Sequence, residues 1–123
     1  MLNDSELDKH WSETLGDLPP TVKQLKEFSP RYYKYYTTAR ADLLSDTPGG
    51  LPLKYKELIL LMTDVFRSNE SGGRNHTRAA LRAGLTKQEL REAFELVALT
   101  TGILTWGTIM HHFWDEAKSF PDK

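Results

Sequence analysis

The residues best suited to chemistry in this chain lie between Glu57 and Gly84, in "ELILLMTDVFRSNESGGRNHTRAALRAG". Glu57 opens an almost wholly apolar run, and Asp64 follows seven residues later, near the same helical face. Two carboxylates therefore point into one environment, where burial disfavours their charged forms unless a cation or donor answers them. After a Gly-Gly pair, His76 shares a stripe with Ala79, Ala80 and Ala83, where a second helix can approach closely. That neighbourhood predicts an imidazole at least partly buried. Arg74, Arg78 and Arg82 recur at spacings of four and make a basic stripe beside it. Such a stripe can be a solvated face, can pair with Glu70 and Glu92, or can hold a substrate carboxylate through paired hydrogen bonds. The structural alternative is equally concrete. Glu57 can be satisfied by the dipole and free amides of a helix start, and a histidine among alanines is often a hydrogen-bonded core group.

A second concentration lies in "TWGTIMHHFWDE". Trp106, Met110 and Phe113 form an apolar stripe suited to a core or an interface. His111 and His112 are adjacent and are expected to splay to different faces, so they cannot share a metal as an i, i+4 pair would. The neighbouring aromatics place at least one of them at a pocket wall or a subunit boundary. With no cysteine in the sequence, disulfides, thiolate metal sites and thiol chemistry are excluded, and no metal or other cofactor is expected.

The elements that must position these residues read as helices throughout, which makes the expected fold class all-α. Residues 4–15 form an amphipathic helix carrying Leu7, Trp11 and Leu15. A short helix starts at Pro19–Pro20, with Val22, Leu25 and Phe28 on one side, and Ser29 with Pro30 starts a third. Tyr32, Tyr33, Tyr35 and Tyr36 wrap more than one face of it. "SDTPGGLP" is an irregular loop. The run from about Leu53 to Arg67 is apolar nearly all round, which predicts a buried helix. Gly72 and Gly73 are expected to break it, with the next helix running from about Arg74 to Ala83. Gly84 fits a left-handed stop, Thr86 and Glu89 fit a capping box, and Gly102 separates a last helix ending near Phe120.

Length and composition bound the rest. At 123 residues the chain is expected to be one domain with a modest core, which association with identical chains would enlarge. A formal net charge of −1 gives no basic excess for a nucleic acid or an anionic membrane. No apolar run approaches a membrane span, and "MLNDSELDKHW" lacks the apolar centre of a signal peptide. A soluble, cytoplasmic protein is the expectation.

The chain also resembles the carboxymuconolactone decarboxylase family, which includes the alkylhydroperoxidase D-like proteins. The peroxidase branch carries Glu, eleven residues, Cys, two residues, Cys, three residues, His. Here the same spacing reads Glu57, Asn69, Gly72, His76, with both cysteines replaced. "HTRAALRAGLTKQELREAF" is similar to the family signature that follows. The likeness covers about residues 50–118 and extends weakly to "KQLKEFSPRYYKYY" and the "GLP" at 50–52.

The resemblance implies a compact alkylhydroperoxidase D-like bundle of about six helices, with N-terminal helices over 4–45, assembled as a homotrimer or homohexamer. It implies that a thiol-dependent peroxidase activity is lost, because that cycle needs a thiolate. What survives is the acid–histidine part, which suits the cofactor-independent loss of a carboxyl group from a lactone. His76 would then be the proton donor, and Glu57 would orient it and favour its charged form. Arg74 would hold the substrate carboxylate. Asn69, Trp106 and one of His111 or His112 would wall the pocket. The competing expectation is a non-catalytic oligomeric binding or scaffold protein that kept the fold after losing the thiols.

Overall fold

Side chains that satisfy the first free amides set four of the helix starts among the described residues, those after Asn3, Ser29, Asn69 and Thr86. The computed structural model describes residues 1–122. In it, Asn3 and Glu6 form a reciprocal capping box that opens α1 (Asp4–Leu15), with bonds of 2.9 and 3.0 Å. Prolines open α2 (Pro20–Phe28), and Ser29 accepts from Tyr32 N to open α3 (Pro30–Leu44). Then come α4 (Leu53–Phe66), α5 (Glu70–Arg82) and α6 (Lys87–Thr101). The chain ends in α7 (Ile103–Thr105), a π-helical turn (Trp106–Met110) and α8 (His111–Ser119). No strand occurs among the described residues, so the fold is all-α. No helix among them is long and apolar enough to cross a membrane.

Contacts divide the chain into two compact units, Met1–Pro48 and a second from Gly49 onward. In the first, Leu7, Trp11 and Leu15 of α1 are buried, as are Tyr33 and Thr37 of α3. Trp11 Nε1 donates to Thr37 Oγ1 at 2.9 Å, so the buried indole keeps its hydrogen bond. Only Tyr33 of the four tyrosines is buried; Tyr32, Tyr35 and Tyr36 stay exposed. Phe28, expected on the apolar side of α2, is also exposed. A helix this short presents only a narrow inner face, and Val22 and Leu25 occupy it in part.

The second unit has a core built from Leu61, Val65, Leu81, Leu90, Met110 and Phe113, among others. The Thr86–Glu89 capping box opens α6 with reciprocal 2.9 Å bonds. Gly84 takes φ +108°, the left-handed conformation that stops α5. Two expectations are corrected in this unit. The first concerns α4, which is buried along one face only, since Ile59 and Phe66 remain exposed. Its apolar composition exceeds what a single chain covers.

The second correction concerns Gly72 and Gly73, which do not break a helix but lie inside α5. The chain instead reverses at Arg67–Asn69, where Ser68 adopts φ +52°. Asn69 then caps α5 by accepting from Gly72 N at 3.3 Å. Gly73 serves packing rather than bending. A Cβ there would lie 1.9 Å from Phe113 Cζ, so only a glycine lets the α8 ring seat on α5.

Candidate functional site

The α4–α5 hairpin assembles the site. Asp64 lies in the last turns of α4 and His76 in the second turn of α5, and the reversal at Ser68 sets them face to face. His76 Nδ1 donates to Asp64 Oδ2 across 2.5 Å. The other carboxylate oxygen, Oδ1, accepts from Asn69 Nδ2 at 3.0 Å. Asn69 is itself pinned, because its amide oxygen caps α5 and its backbone N donates to Asp64 O at 2.9 Å. Asp64 is thus held on both oxygens, and its side chain is only 8% exposed, against 17% for His76. Buried carboxylates persist when their lone pairs are met in this way.

Gly72 completes the arrangement. A Cβ at this position would fall 2.4 Å from Asn69 Nδ2 and 3.1 Å from Asp64 Oδ1. The absence of a side chain leaves room for the amide that supports the acid. Glu57 lies two turns before Asp64 on the same face of α4 and is 1% exposed. Both acids of that face are therefore buried.

The expected carboxylate clamp is already occupied by acids of the chain itself. Arg74 Nε lies 3.2 Å from Glu70 Oε2, and Arg74 Nη1 lies 3.5 Å from Glu116 Oε1. Arg78 reaches the same Glu116 oxygen at 3.1 Å. Arg74 Nη2 also donates to His112 Nδ1 at 3.2 Å. An arginine can only donate, so the proton of the His112 ring sits on Nε2, which faces Glu70 Oε1 at 3.4 Å. His111 and His112 do not splay: their ring centroids are 3.9 Å apart at 38°. They follow directly on the π-helical turn at 106–110, whose wider spacing departs from the regular helix on which the expectation was based.

Trp106 lines a cleft of about 370 Å³ with Phe94, Ile103 and Trp114, and His76 is not among its walls. Arg91 sits at that cleft with its guanidinium 4.9 Å from the Trp114 ring. Sequence reasoning noted Asp64 as a second acid but gave it no partner. It gave no role to Glu116. The signal for Asp64 was its seven-residue spacing from Glu57. The role of Glu116 depends on how α8 packs on α5, which no local pattern carries. Among the described residues no three His, Asp or Glu side chains are grouped to hold a metal ion.

The model of the carboxymuconolactone decarboxylase family matches residues 30–107. A crystal structure from Burkholderia xenovorans LB400, described as a "putative carboxymuconolactone decarboxylase", is similar with a TM-score of 0.86 and 36% identity. The match covers 94% of this chain and 89% of that one. Among curated proteins, none matches.

Proposed function

The chain belongs to the carboxymuconolactone decarboxylase family, and on that premise we propose that it is a cofactor-independent carboxy-lyase acting by proton transfer. Its substrate would be a small carboxylated lactone or aromatic-derived compound. The observation that carries this reading is the bond from His76 Nδ1 to Asp64, which leaves Nε2 as the ring nitrogen with no partner among the described residues.

The reaction follows from that asymmetry. The bond between the lactone carbon and its carboxylate breaks, carbon dioxide leaves, and the electron pair passes into the conjugated ring as a dienolate. With Nδ1–H held by Asp64, a second proton on Nε2 makes the ring an imidazolium. That proton forms the new C–H bond, the ring is left neutral with its hydrogen on Nδ1, and solvent returns a proton to Nε2. Asp64 fixes the ring so that this nitrogen, and not Nδ1, faces the reacting carbon. Glu57 is the second buried acid of the same face, about 10 Å from Asp64 along α4 by helix rise, and would favour the charged form of His76 through its own charge rather than by a direct bond.

Arg74 would bind the substrate carboxylate by exchange. Glu70, half exposed, would yield its place, while the more buried Glu116 stays. Asn69, His111 and His112 would border that position. Leu96, Leu99, Ile103 and Leu104 are 66–80% exposed, apolar surface that association could bury. A homotrimer or homohexamer would cover it and could bring Trp106 of one copy toward His76 of another. Sedimentation as a monomer at micromolar concentration would refute the assembly.

The decisive assay measures carbon dioxide release and solvent deuterium incorporation over a panel of lactone and enol carboxylates. Turnover by the wild type that vanishes in His76→Gln supports the reading. Saturable binding of those carboxylates with neither release nor exchange would instead favour a non-catalytic binding protein.

A further inference from the structure

The N-terminal unit carries an open cleft of about 740 Å³, within the size range of small-molecule sites. Its apolar lining comes from Leu7, Leu18 and Pro30, beside the buried Tyr33. One part of its wall is internally neutral. Asp8 Oδ1 accepts from Tyr33 Oη at 2.7 Å, and Lys26 Nζ donates to both Asp8 oxygens at 3.0 and 3.1 Å. Lys26 is therefore committed to a carboxylate of the fold.

Lys23, Arg31 and Lys34 line the same cleft and differ in kind. Elsewhere, Lys9, Lys54, Arg74, Arg78, Lys87 and Lys118 each lie within 4.0 Å of a carboxylate oxygen, while Arg67 and Arg91 stand apart from any among the described residues. Among the described residues, Lys23, Arg31 and Lys34 form no such pair. Arg31 is instead oriented over the Tyr35 ring at 5.7 Å. Cations converging on a concave, low-dielectric wall focus a positive field into it. Asp4 and Glu27 also border the cleft and limit how much negative charge it accepts.

We propose that this cleft is a second binding site, for a small apolar monocarboxylate whose charge is met by Lys23, Arg31 and Lys34 and whose body lies on Leu7, Leu18 and Pro30. The two acids select against a dianion, which would gain from three cations but face repulsion from both carboxylates. The planar carboxylate suits the fork of Arg31, and the apolar lining supplies the remaining affinity. This site is independent of His76 and of the proposed lyase reaction.

The test uses the full chain, with benzoate and inorganic phosphate as probes at matched ionic strength. Titration followed by amide NMR should show saturable benzoate shifts among residues 4–34, with phosphate at the same concentration failing to displace it. Lys23→Gln/Arg31→Gln/Lys34→Gln should weaken benzoate about tenfold or more, the size expected for losing charge-assisted bonds. Lys54→Gln, a paired cation, should leave it unchanged. If the triple variant misfolds by circular dichroism, Arg31→Gln alone should still weaken benzoate several-fold. Absence of saturable shifts in 4–34, equal competition by phosphate, or unchanged affinity in folded variants would each overturn the proposal.

Discussion

His10 and His76 are both partly buried and both hydrogen-bonded to an ion, yet they are wired in opposite senses. In the second unit, His76 Nδ1–H donates a hydrogen bond to Asp64 Oδ2 at 2.5 Å, and Nε2 has no partner among the described residues. In the first unit, Arg40 Nη1 lies 2.8 Å from His10 Nε2. A guanidinium can only donate, so that contact requires the histidine lone pair. Burial, then the charge of Arg40, pushes the His10 pKa down to about 4. An acid beside an imidazole frees its far nitrogen for chemistry, whereas an arginine turns the ring into an acceptor that serves the fold. A histidine in a partly buried setting says little about function until the sign of its partner is known.

The strongest way to break this contrast is to remove His76. With the proposed activity in hand, His76→Gln should cost roughly 10²-fold or more in turnover, the size of a lost general acid, while the melting temperature stays within a few degrees. His10→Gln should leave turnover unchanged. If His76→Gln unfolds the protein and the folded remainder keeps its activity, the two histidines are alike after all, and both are structural.

Asp64→Asn sharpens the same point. An amide can present either an oxygen or an NH2 group to the ring, so the tautomer is no longer dictated. Turnover should fall about 10-fold or more, as when an outer partner of a functional histidine is lost. The 15N shifts of the His76 ring should report a changed tautomer mixture. A purely structural Asp64 would lower stability without altering those shifts in the folded protein.

Packing around the site supplies the next test. Gly73→Ala places a methyl on the Phe113 ring, and overpacking of this kind costs about 3 kcal/mol, at the upper end of the usual range. The gain in helix propensity, about 1 kcal/mol, offsets only part of it. Urea unfolding monitored by circular dichroism should show the loss. Gly72→Ala should cost less, since the atom it meets is the end of the Asn69 side chain, which can turn aside where the Phe113 ring cannot, but only by giving up the Asn69–Asp64 bond.

Much of the fold was legible because its signals are local. Ser29–Pro30, Thr86–Glu89 and Gly84 act within a turn of themselves, and each marks the boundary it was expected to mark. Gly72 and Gly73 misled because a glycine pair is ambiguous: it can bend a backbone or admit a neighbour. Here the neighbours are Asn69 and Phe113, and only the latter is distant in sequence. The Ser68 turn was hidden because a positive φ at serine carries no composition signal. The spacing of Glu57, Asp64 and His76 pointed to this hairpin, where the structure buries both acids and joins Asp64 to His76. Which oxygen meets which nitrogen depends on the reversal at Ser68, and that had to be seen.

The smallest expected effect concerns the first unit and pH. His10 is held near pKa 4 in the fold, below its ordinary 6.5, by burial first and by Arg40 second, with Glu13 opposing weakly. As pH falls through about 6.5, the unfolded chain takes up a proton that the folded ring refuses. The unfolded state then binds more protons, so stability falls with pH until the folded ring protonates near 4. The penalty is absent above the ordinary value and complete below the shifted one. For a half-buried ring, solvent screening reduces it to about 1 kcal/mol. Carboxylates elsewhere also titrate in the lower part of this window, so the useful quantity is the difference between wild type and His10→Gln. Urea midpoints measured from neutral pH down to about pH 4 should show the wild type losing more stability than the variant, with most of the divergence above the carboxylate range. Parallel curves would mean that His10 titrates alike in both states, and the Arg40 contact would then lose its claim to hold the ring neutral.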